Sequence, residues 1–268
     1  MTTKQVLTIA GSDSGGGAGI QADLKTFQER NVFGVSVLTA VTAQNTLGVH
    51  GVHPMPLEMV EAQLDAIFSD FNLSAIKTGM LVNGDYMELI ANKLLDNKIA
   101  PLIIDPVMVA KGGHPLMAST AVEVMKSRLV PLADVITPNI PEAEALTGTE
   151  IMNKKSMLKA AYQLKEAGSK VVIIKGGHAL DDPQASDLIL LESGEEVWLS
   201  TPRIDTKNTH GTGCTYSACI TAEIAKGHSV LEAIKTAKAY IQAAISDPLE
   251  QVGHGHGPTN HWAYRKLN

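Results

Sequence analysis

Short apolar runs alternate with amphipathic segments along most of the chain. Apolar runs of this length, bounded by turn residues, are typical of strands buried on both faces. We predict such strands at Val6–Ala10, Val35–Thr42, Ala75–Thr78, Leu102–Asp105, Val135–Thr137 and Lys170–Lys175. The segments between them repeat apolar residues at helical spacing. We predict helices at Gly19–Glu29, Pro56–Ser69, Asn83–Leu95, Ser119–Leu129 and Ser156–Ala167.

The pattern changes in the last third of the chain. Two strands, Asp187–Leu191 and Glu196–Leu199, are separated by a short polar turn and predict an antiparallel hairpin at one edge of the sheet. Helices at Thr215–Lys226 and Val230–Ser246 follow. Strands alternating with helices predict an α/β fold, in which helices cover both faces of a mostly parallel sheet. The 268 residues lack a repeat or linker, so we predict a single domain.

Composition excludes several classes of function. The net charge is −6, without a basic stripe, which argues against nucleic acid and anionic membranes as partners. The apolar runs are too short to span a bilayer, and the first residues lack a signal-peptide pattern, so we expect a cytoplasmic protein. Cys214 and Cys219 are the only cysteines, and their spacing suits neither a disulfide nor a C-x-x-C site.

One glycine-rich stretch immediately before a helix carries the strongest chemical signal. Gly211, Thr212 and Gly213 let backbone N–H groups converge where the positive end of the helix dipole points. This pattern predicts an anion hole. Cys214 lies at its rim, where the same positive potential favours a thiolate over a thiol. A small buried cysteine after an ordinary glycine turn is the competing interpretation.

Polar residues also follow the first two strands, at the sheet edge where ligands bind in such folds. Gln44 offers a donor and an acceptor, which suits the ring edge of an aminopyrimidine or pyridine. The glycine-rich segment 11–19 opens the first helix, in which Asp23 is a candidate for holding a small substrate. The segment resembles a dinucleotide fingerprint, but an acidic residue about 20 positions further on is missing. A nicotinamide oxidoreductase is therefore disfavoured.

Later strands end in oxygen ligands and a cation. Asp105, Asn139 and Glu142 supply the hard oxygen atoms that Mg²⁺ takes together with waters and phosphate oxygens. Glu142 also lies in the first turn of a helix, where simple dipole stabilisation would explain it. Lys175 ends an apolar strand before two glycines, a placement suited to meeting a phosphate as a point charge.

Several of these motifs together resemble one family. The motifs are Val6–Asp13 with Ala18–Asp23, Lys77–Met80, Asp105–Met108, Thr137–Asn139 with Glu142, Lys175–His178, His210–Thr215 and Gly255–Pro258. The chain is similar over nearly its whole length to the hydroxymethylpyrimidine/phosphomethylpyrimidine kinases of thiamin synthesis. This resemblance implies a three-layer αβα fold of the ribokinase-like superfamily and a homodimer. Members of that superfamily typically have an aspartate base at the position of Cys214.

The resemblance also implies a role for each candidate residue. Gln44 and Asp23 would hold the pyrimidine, with Met80 and Val107 as the apolar wall. The segment Gly211–Cys214 would bind the transferring phosphoryl group. Cys214 would take the proton of the attacking hydroxymethyl group or act on the phosphate monoester. Asp105 and Glu142 would place Mg²⁺, with help from Asn139. Asn139 would also bind ATP, together with Lys175.

Two alternatives remain open at this stage. Relatives that phosphorylate pyridoxal often have a second cysteine where this chain has Ala110, which favours a pyrimidine substrate but leaves pyridoxine as an alternative. A pyrimidine-binding protein without catalysis is disfavoured by the intact catalytic set. We expect the segment around Lys111 and Gly112 to form a lid. The glycine-rich tail with His254 and His256 is expected to pack near the nucleotide.

Overall fold

The computed structural model describes residues 2–97, 101–108, 119–177 and 184–267. Within these ranges, the strands form a single sheet. The strands are β1 (Gln5–Asp13), β2 (Phe33–Asn45), β3 (Gly48–Pro54), β4 (Leu73–Thr78), β5 (Leu102–Ile104), β6 (Val135–Ile136), β7 (Val171–Ile174), β8 (Gln184–Leu190) and β9 (Glu196–Pro202).

Helices connect these strands. They are α1 (Gly19–Glu29), α2 (Leu57–Asp70), α3 (Gly84–Asn97), α4 (Ser119–Val124), α5 (Ile140–Thr147), α6 (Lys154–Glu166), α7 (Thr212–Ala225) and α8 (Val230–Ser246). A π-helical segment, Met125–Leu129, continues α4. A short 3₁₀ helix, Ala263–Leu267, follows α8 near the C-terminus.

The strand order is β3-β2-β1-β4-β5-β6-β7-β8-β9. Each neighbouring pair from β2 through β7 is parallel, whereas β3 pairs antiparallel with β2 at one edge. At the other edge β8 and β9 add an antiparallel hairpin to β7. The predicted mostly parallel sheet and its edge hairpin are therefore confirmed. The single-domain organisation stays a prediction.

The sequence did not predict strand β3. Its residues, Gly48–Pro54, include two glycines, two histidines and a proline, all of which lack the branched apolar side chains that favour strands. Five of its seven residues are exposed, so no buried apolar run marks it. Pairing with β2 across a tight turn at Thr46 and Leu47 holds this strand in place.

Two apolar clusters fill the space between the sheet and its helices. One contains Leu64, Met87 and Leu164 and packs helices α2 to α6 on one face. The other contains Phe27 and Ile234 and packs α1, α7 and α8 on the opposite face. Because each face of the sheet is covered by its own helical layer, the predicted three-layer αβα architecture is confirmed.

Two helix starts differ from the sequence prediction. Pro56 is the N-cap of α2 rather than its first helical residue. The start of α7 is Thr212, three residues before the predicted Thr215, with Gly211 as its N-cap. As a result, Gly213 and Cys214 belong to the first helical turn, whose backbone N–H groups lack partners within the helix.

Candidate active site

A cavity of about 1210 Å³ opens at the carboxyl ends of the parallel strands. The first residues of α1 and α7 line it, and so do residues from the first turn of α5. Three helix N-termini therefore point their positive ends into one space, which favours a highly charged anion. Most of the candidate residues meet in its wall: Gln44, Met80, Asp105, Val107, Asn139, Glu142, Lys175 and Gly211–Cys214.

The residues predicted to form an anion hole lie where two glycine loops are in contact. Gly211 has a φ of 84°, and a Cβ on it would lie 1.7 Å from the carbonyl oxygen of Gly17. Only glycine fits this position, both for backbone conformation and for space. A Cβ on Gly213 would lie 3.3 Å from Lys175 Nζ, so the loop is next to a cation. The hydroxyl of Thr212 donates to the Thr209 carbonyl at 2.7 Å and fixes the turn.

Cys214 lies in the first turn of α7, at the cavity wall. The thiolate expected from the sequence is wrong for Cys214 in this structure. Burial raises the pKa of the Cys214 thiol to about 11, and Asp23 and Asp105 add to this shift. The charge of Lys77 and a hydrogen bond from the Gly19 backbone lower the pKa only in part. Desolvation outweighs the helix dipole here, so Cys214 is a thiol at neutral pH.

Asp23 is not part of the cavity wall, contrary to its expected role in holding the substrate. Its carboxylate is fully buried, and both of its oxygens lie 2.8 Å from Nζ of Lys77. The hydroxyl of Thr8 donates to the same carboxylate at 2.6 Å. Burial and this ion pair leave Asp23 no free direction toward a ligand. Sequence reasoning assigned no role to Lys77, because its partner lies 54 positions away.

Two carboxylates and one lysine lie close together in the cavity wall. Lys175 Nζ lies 3.0 Å from Oδ1 of Asp105. Burial alone would raise the pKa of Asp105, but the charges of Lys175 and Lys77 lower it. Burial raises the pKa of Glu142 to about 7, with Lys175 opposing and Asp105 adding to this shift. The site thus combines an ionised carboxylate with one that protonates near neutrality.

Glu142 also has a structural role. It forms a capping box with Asn139 at the start of α5, donating its own N–H to the Asn139 side chain at 2.9 Å and accepting from the Asn139 N–H at 2.8 Å. Glu142 therefore stabilises the start of α5 and also lines the cavity. One carboxylate oxygen binds the cap, and the residue still lines the cavity.

Among the described residues, no group of three or more histidine, cysteine, aspartate or glutamate side chains could hold a metal ion by itself. Mg²⁺ in phosphoryl-transfer sites is usually held by one or two carboxylates together with waters and substrate phosphates. Asp105 and Glu142 fit that kind of site. Both carboxylates are buried, and Asp105 is close enough for its charge to add to the raised pKa of Glu142, so a cation between them is favoured.

Other residues of the cavity wall differ from these charged groups. Met80 and Val107 supply an apolar wall, and Gln44 supplies an amide. Beside this amide lies His210, a buried histidine whose Nε2 atom is 2.8 Å from Oδ2 of Asp13. Sequence reasoning missed both members of this pair. Their positions in the sequence could have indicated a role, because Asp13 ends β1 and His210 directly precedes the predicted anion hole.

The glycine-rich tail packs against the turn between β2 and β3. Its expected place near the nucleotide stays a prediction. The N–H groups of His254 and Gly255 lie 3.1 Å from the Thr46 hydroxyl, and the His256 N–H donates to the Thr46 carbonyl. Further along, the backbone of His210 forms a bridge with the same tail. The tail thus contacts both the β2–β3 turn and the residue that precedes the predicted anion hole. Ala110, Lys111 and Gly112, with the expected lid, lie outside the described residues.

Comparison with known proteins identifies the family of this chain. A model of the phosphomethylpyrimidine kinase family matches residues 13–260. The chain belongs to the phosphomethylpyrimidine kinase family. Like other members of the family, it is a phosphotransferase, as the resemblance implied. The matched range includes the residues that line the cavity from Asp13 to α8.

Two relatives of this kinase align over almost their full length. The hydroxymethylpyrimidine/phosphomethylpyrimidine kinase of Haemophilus influenzae is 58% identical over 266 residues, covering 98% of each chain. The protein with the same description from Bacillus subtilis is 50% identical over 266 residues, covering 99% of this chain and 97% of that one. The crystal structure of an ADP complex of Bacillus subtilis pyridoxal kinase is 42% identical, with a TM-score of 0.90 and full coverage of both chains. This likeness confirms the ribokinase-like fold.

The kinase contains no helix, within the described ranges, that is long and apolar enough to cross a membrane.

Proposed function

We propose that this kinase phosphorylates 4-amino-5-hydroxymethyl-2-methylpyrimidine with ATP and then phosphorylates the monophosphate to the diphosphate, for thiamin diphosphate synthesis. One observation carries the proposal: a single cavity joins an amide suited to an aminopyrimidine edge, on Gln44, to the anion hole Gly211–Cys214. The relatives described as hydroxymethylpyrimidine/phosphomethylpyrimidine kinases support it. The second phosphorylation uses the same anion hole.

In this proposal the pyrimidine lies at the Gln44 end. Its ring packs against Met80 and Val107, and its polar edge binds the Gln44 amide. The hydroxymethyl group then faces the first turn of α7, where the transferring phosphoryl group is held by backbone N–H groups. Phosphoryl transfer is accelerated mainly by positioning and by stabilising charge, which this arrangement supplies.

Cys214 lies at the point where the hydroxymethyl group and the phosphoryl group meet. As a thiol, the form favoured by its raised pKa of about 11, it donates a hydrogen bond to a phosphoryl oxygen. As the minor thiolate, it takes the proton of the attacking hydroxyl group. We expect the Cys214→Ala variant to bind the pyrimidine but to lose roughly 10²-fold or more in kcat. Full activity in that variant would remove Cys214 from the mechanism.

ATP enters at the opposite end. Lys175 contacts its phosphates as a point charge, and Asn139 contributes at the start of α5. Asp105 and Glu142 would hold Mg²⁺ between them and the phosphates. The bound cation would neutralise the charge that develops on the phosphates. The chain itself orients the two substrates in line and supplies the N–H groups that face the transferred group.

Pyridoxine phosphorylation is the second candidate. It is favoured by the close structural likeness to a pyridoxal kinase. A pyridine offers the same apolar faces as a pyrimidine but lacks the 4-amino group opposite Gln44. The homodimeric state and the cytoplasmic location expected from the sequence belong to the same proposal, and light scattering of the purified protein tests the dimer.

The experiment is a side-by-side assay of ATP consumption with Mg²⁺, using hydroxymethylpyrimidine, its monophosphate and pyridoxine as acceptors. The mass of each product identifies what was phosphorylated. Turnover of both pyrimidines well above pyridoxine is expected. Preference for pyridoxine would assign the enzyme to vitamin B6 metabolism, and binding without turnover of any acceptor would overturn the catalytic proposal.

A further inference from the structure

The segment 175–177, which follows β7, is held by two neighbouring parts of the sheet. Its first residue, Lys175, donates its backbone N–H to the Pro138 carbonyl at 2.8 Å. The next residue, Gly176, donates its N–H to Oδ1 of Asp187 in β8 at 3.0 Å. The backbone is therefore fixed on both sides of the Lys175 Cα atom, by the residues that follow β6 and by β8.

Asp187 reaches this segment because of the register between the two strands. Ile174, the last residue of β7, is paired with Leu188 in the antiparallel ladder, so Asp187 lies beside the residues that follow β7. The two chains come very close there, since a Cβ on Gly176 would lie 1.9 Å from the Ser186 carbonyl oxygen. The segment 175–177 thus packs directly on the backbone of β8.

Lys238 of α8 holds Asp187 in place. Its Nζ lies 2.7 Å from Oδ2 of Asp187 and donates to the Ala185 carbonyl at 2.8 Å. Each carboxylate oxygen of Asp187 therefore has its own donor, the Gly176 N–H for one and the Lys238 ammonium group for the other. Both side chains of the ion pair are almost buried. A buried carboxylate with both oxygens bonded keeps its partners in one arrangement.

Asp187 belongs to the cavity wall, but its charge excludes it as a contact for a phosphate. A carboxylate only accepts hydrogen bonds and repels phosphate oxygens. The ammonium group of Lys238 offsets this charge, so the wall beside Lys175 does not repel an anion. Lys175 is near enough for its charge to lower the pKa of Asp187, against the larger effect of burial, which raises it.

The side chain of Lys175 extends from this fixed backbone into the cavity, where its Nζ lies 3.0 Å from Oδ1 of Asp105. A flexible four-carbon stem carries the ammonium group, so the position of the backbone decides what that group can reach. We propose that Asp187, held by Lys238, is a positioning residue that fixes the backbone of Lys175 so that its ammonium group meets the ATP phosphates. This inference rests on the proposed function, because it takes Lys175 to bind those phosphates.

The test is a double-mutant cycle on the affinity for ATP with Mg²⁺, measured by titration calorimetry without an acceptor. Lys175→Met should weaken ATP binding by about 10- to 100-fold, the effect of losing a hydrogen bond to a charged group. Asp187→Ala should weaken it by about tenfold. Because Asp187 acts through Lys175, the double variant should bind ATP no more weakly than Lys175→Met alone. Losses that multiply would overturn the inference, since Asp187 would then act independently of Lys175.

Steady-state kinetics supplies a second readout. In Asp187→Ala the KM for ATP should rise by about tenfold, whereas the KM for the acceptor should keep its wild-type value. Asp187→Asn retains an oxygen that can accept from the Gly176 N–H, so it should keep more of the ATP affinity than Asp187→Ala. An equal rise of both KM values would indicate a general loss of structure and would contradict a positioning role.

A matched control is Glu223→Gln. Glu223 is also a buried carboxylate, paired with Arg30 at 2.6 Å and with Lys226 at 2.8 Å, but it is not part of the cavity wall. This variant should lose stability, as the breaking of a buried ion pair does, and keep the wild-type affinity for ATP. Equal losses of ATP affinity in Glu223→Gln and Asp187→Ala would overturn the inference, because any buried ion pair would then have the same effect.

A further variant, Gly176→Ala, covers the case in which Asp187→Ala does not fold. Its Cβ would meet the Ser186 carbonyl, so the segment 175–177 must move away from β8 while the ion pair stays intact. This variant should also weaken ATP binding by about tenfold. Unchanged affinity in the folded variants, with weakened binding in Lys175→Met, would overturn the inference alone. If Lys175→Met binds ATP as tightly as the wild type, the proposed role of Lys175 fails, and the inference fails with it.

Discussion

Nζ of Lys77 lies 2.8 Å from both carboxylate oxygens of Asp23, and neither side chain is exposed to solvent. The pair lies behind the anion hole, close enough for its charges to act on the Cys214 thiol. Desolvation of two charges is costly, so such a pair is maintained only while both partners are present. Removing one partner leaves an uncompensated charge inside the protein.

The ion pair predicts an asymmetry between single and double variants. Lys77→Met should lower the free energy of unfolding by about 3–5 kcal/mol, because Asp23 is left buried without its cation. The double variant Lys77→Met with Asp23→Leu should recover part of this loss. Urea unfolding followed by circular dichroism measures both. A loss of less than about 1 kcal/mol in the single variant, as for an exposed pair, would show that water reaches Asp23.

The backbone geometry at Gly211 predicts that replacing this glycine lowers the activity. Gly211→Ala places a Cβ 1.7 Å from the Gly17 carbonyl at a φ of 84°, so the two loops must separate and the N–H groups lose their alignment. We expect kcat to fall by roughly 10²-fold or more, the effect of losing a donor from an anion hole. Steady-state kinetics measures it.

The matched control is Gly227→Ala. Gly227 also has a positive φ, of 95°, but a Cβ there would have open space around it. It should lose only about 1 kcal/mol of stability and keep the wild-type kcat. Equal losses of activity in the two variants would mean that strain, and not the contact between the loops, is responsible.

The raised pKa of Cys214 predicts slow alkylation at neutral pH. With a pKa of about 11, the labelling rate with iodoacetamide should keep rising up to pH 10, whereas the unfolded chain should label rapidly already near pH 8.5. Cys219 is fully buried with its pKa raised to about 12, and it should label more slowly still. Mass spectrometry of the labelled peptides separates the two. Rapid labelling of Cys214 at pH 7 would restore the thiolate predicted from the sequence.

Asp13 predicts a pH dependence of stability. Its pKa in the folded protein lies below its ordinary value of 3.8, so it stabilises the fold fully above that value, and the contribution is lost as the pH falls further. The Asp13→Asn variant should therefore be less stable than the wild type at pH 6, and the difference should shrink at pH 3. Thermal unfolding at the two pH values measures it. A difference that grows on acidification would contradict a lowered pKa.

Much of the fold could be predicted because apolar periodicity reports burial directly. The parallel strands, α1, α8 and the edge hairpin follow from runs that only a covered sheet or an amphipathic helix explains. Strand β3 could not be predicted this way, because it is exposed and held by pairing with β2. The early start of α7 was missed because Gly213 is a poor helix former, and its place in the helix depends on tertiary packing.

Some residues of the candidate site could also be predicted from the sequence, and others could not. Gln44, Asp105 and Lys175 were found because each lies at or directly after the end of a strand, and such positions meet at one sheet edge. Glu142 was found because it lies in the first turn of the helix that follows such a strand end. The misassigned residue, Asp23, is within a helix, where sequence alone does not say which way the side chain points. The thiolate at Cys214 was wrong because desolvation depends on the depth of burial, which the local motif does not contain.

The N-termini of α1, α5 and α7 give the cavity an attraction for anions that belongs to the main chain. Peptide dipoles bind no protons, so this attraction persists at every pH at which the helices stay folded. It also survives exchange of the surrounding side chains. Side chains around Gln44 can therefore be replaced during evolution without loss of this attraction, so the part of the cavity proposed to hold the phosphoryl group can be inherited while the acceptor alcohol changes.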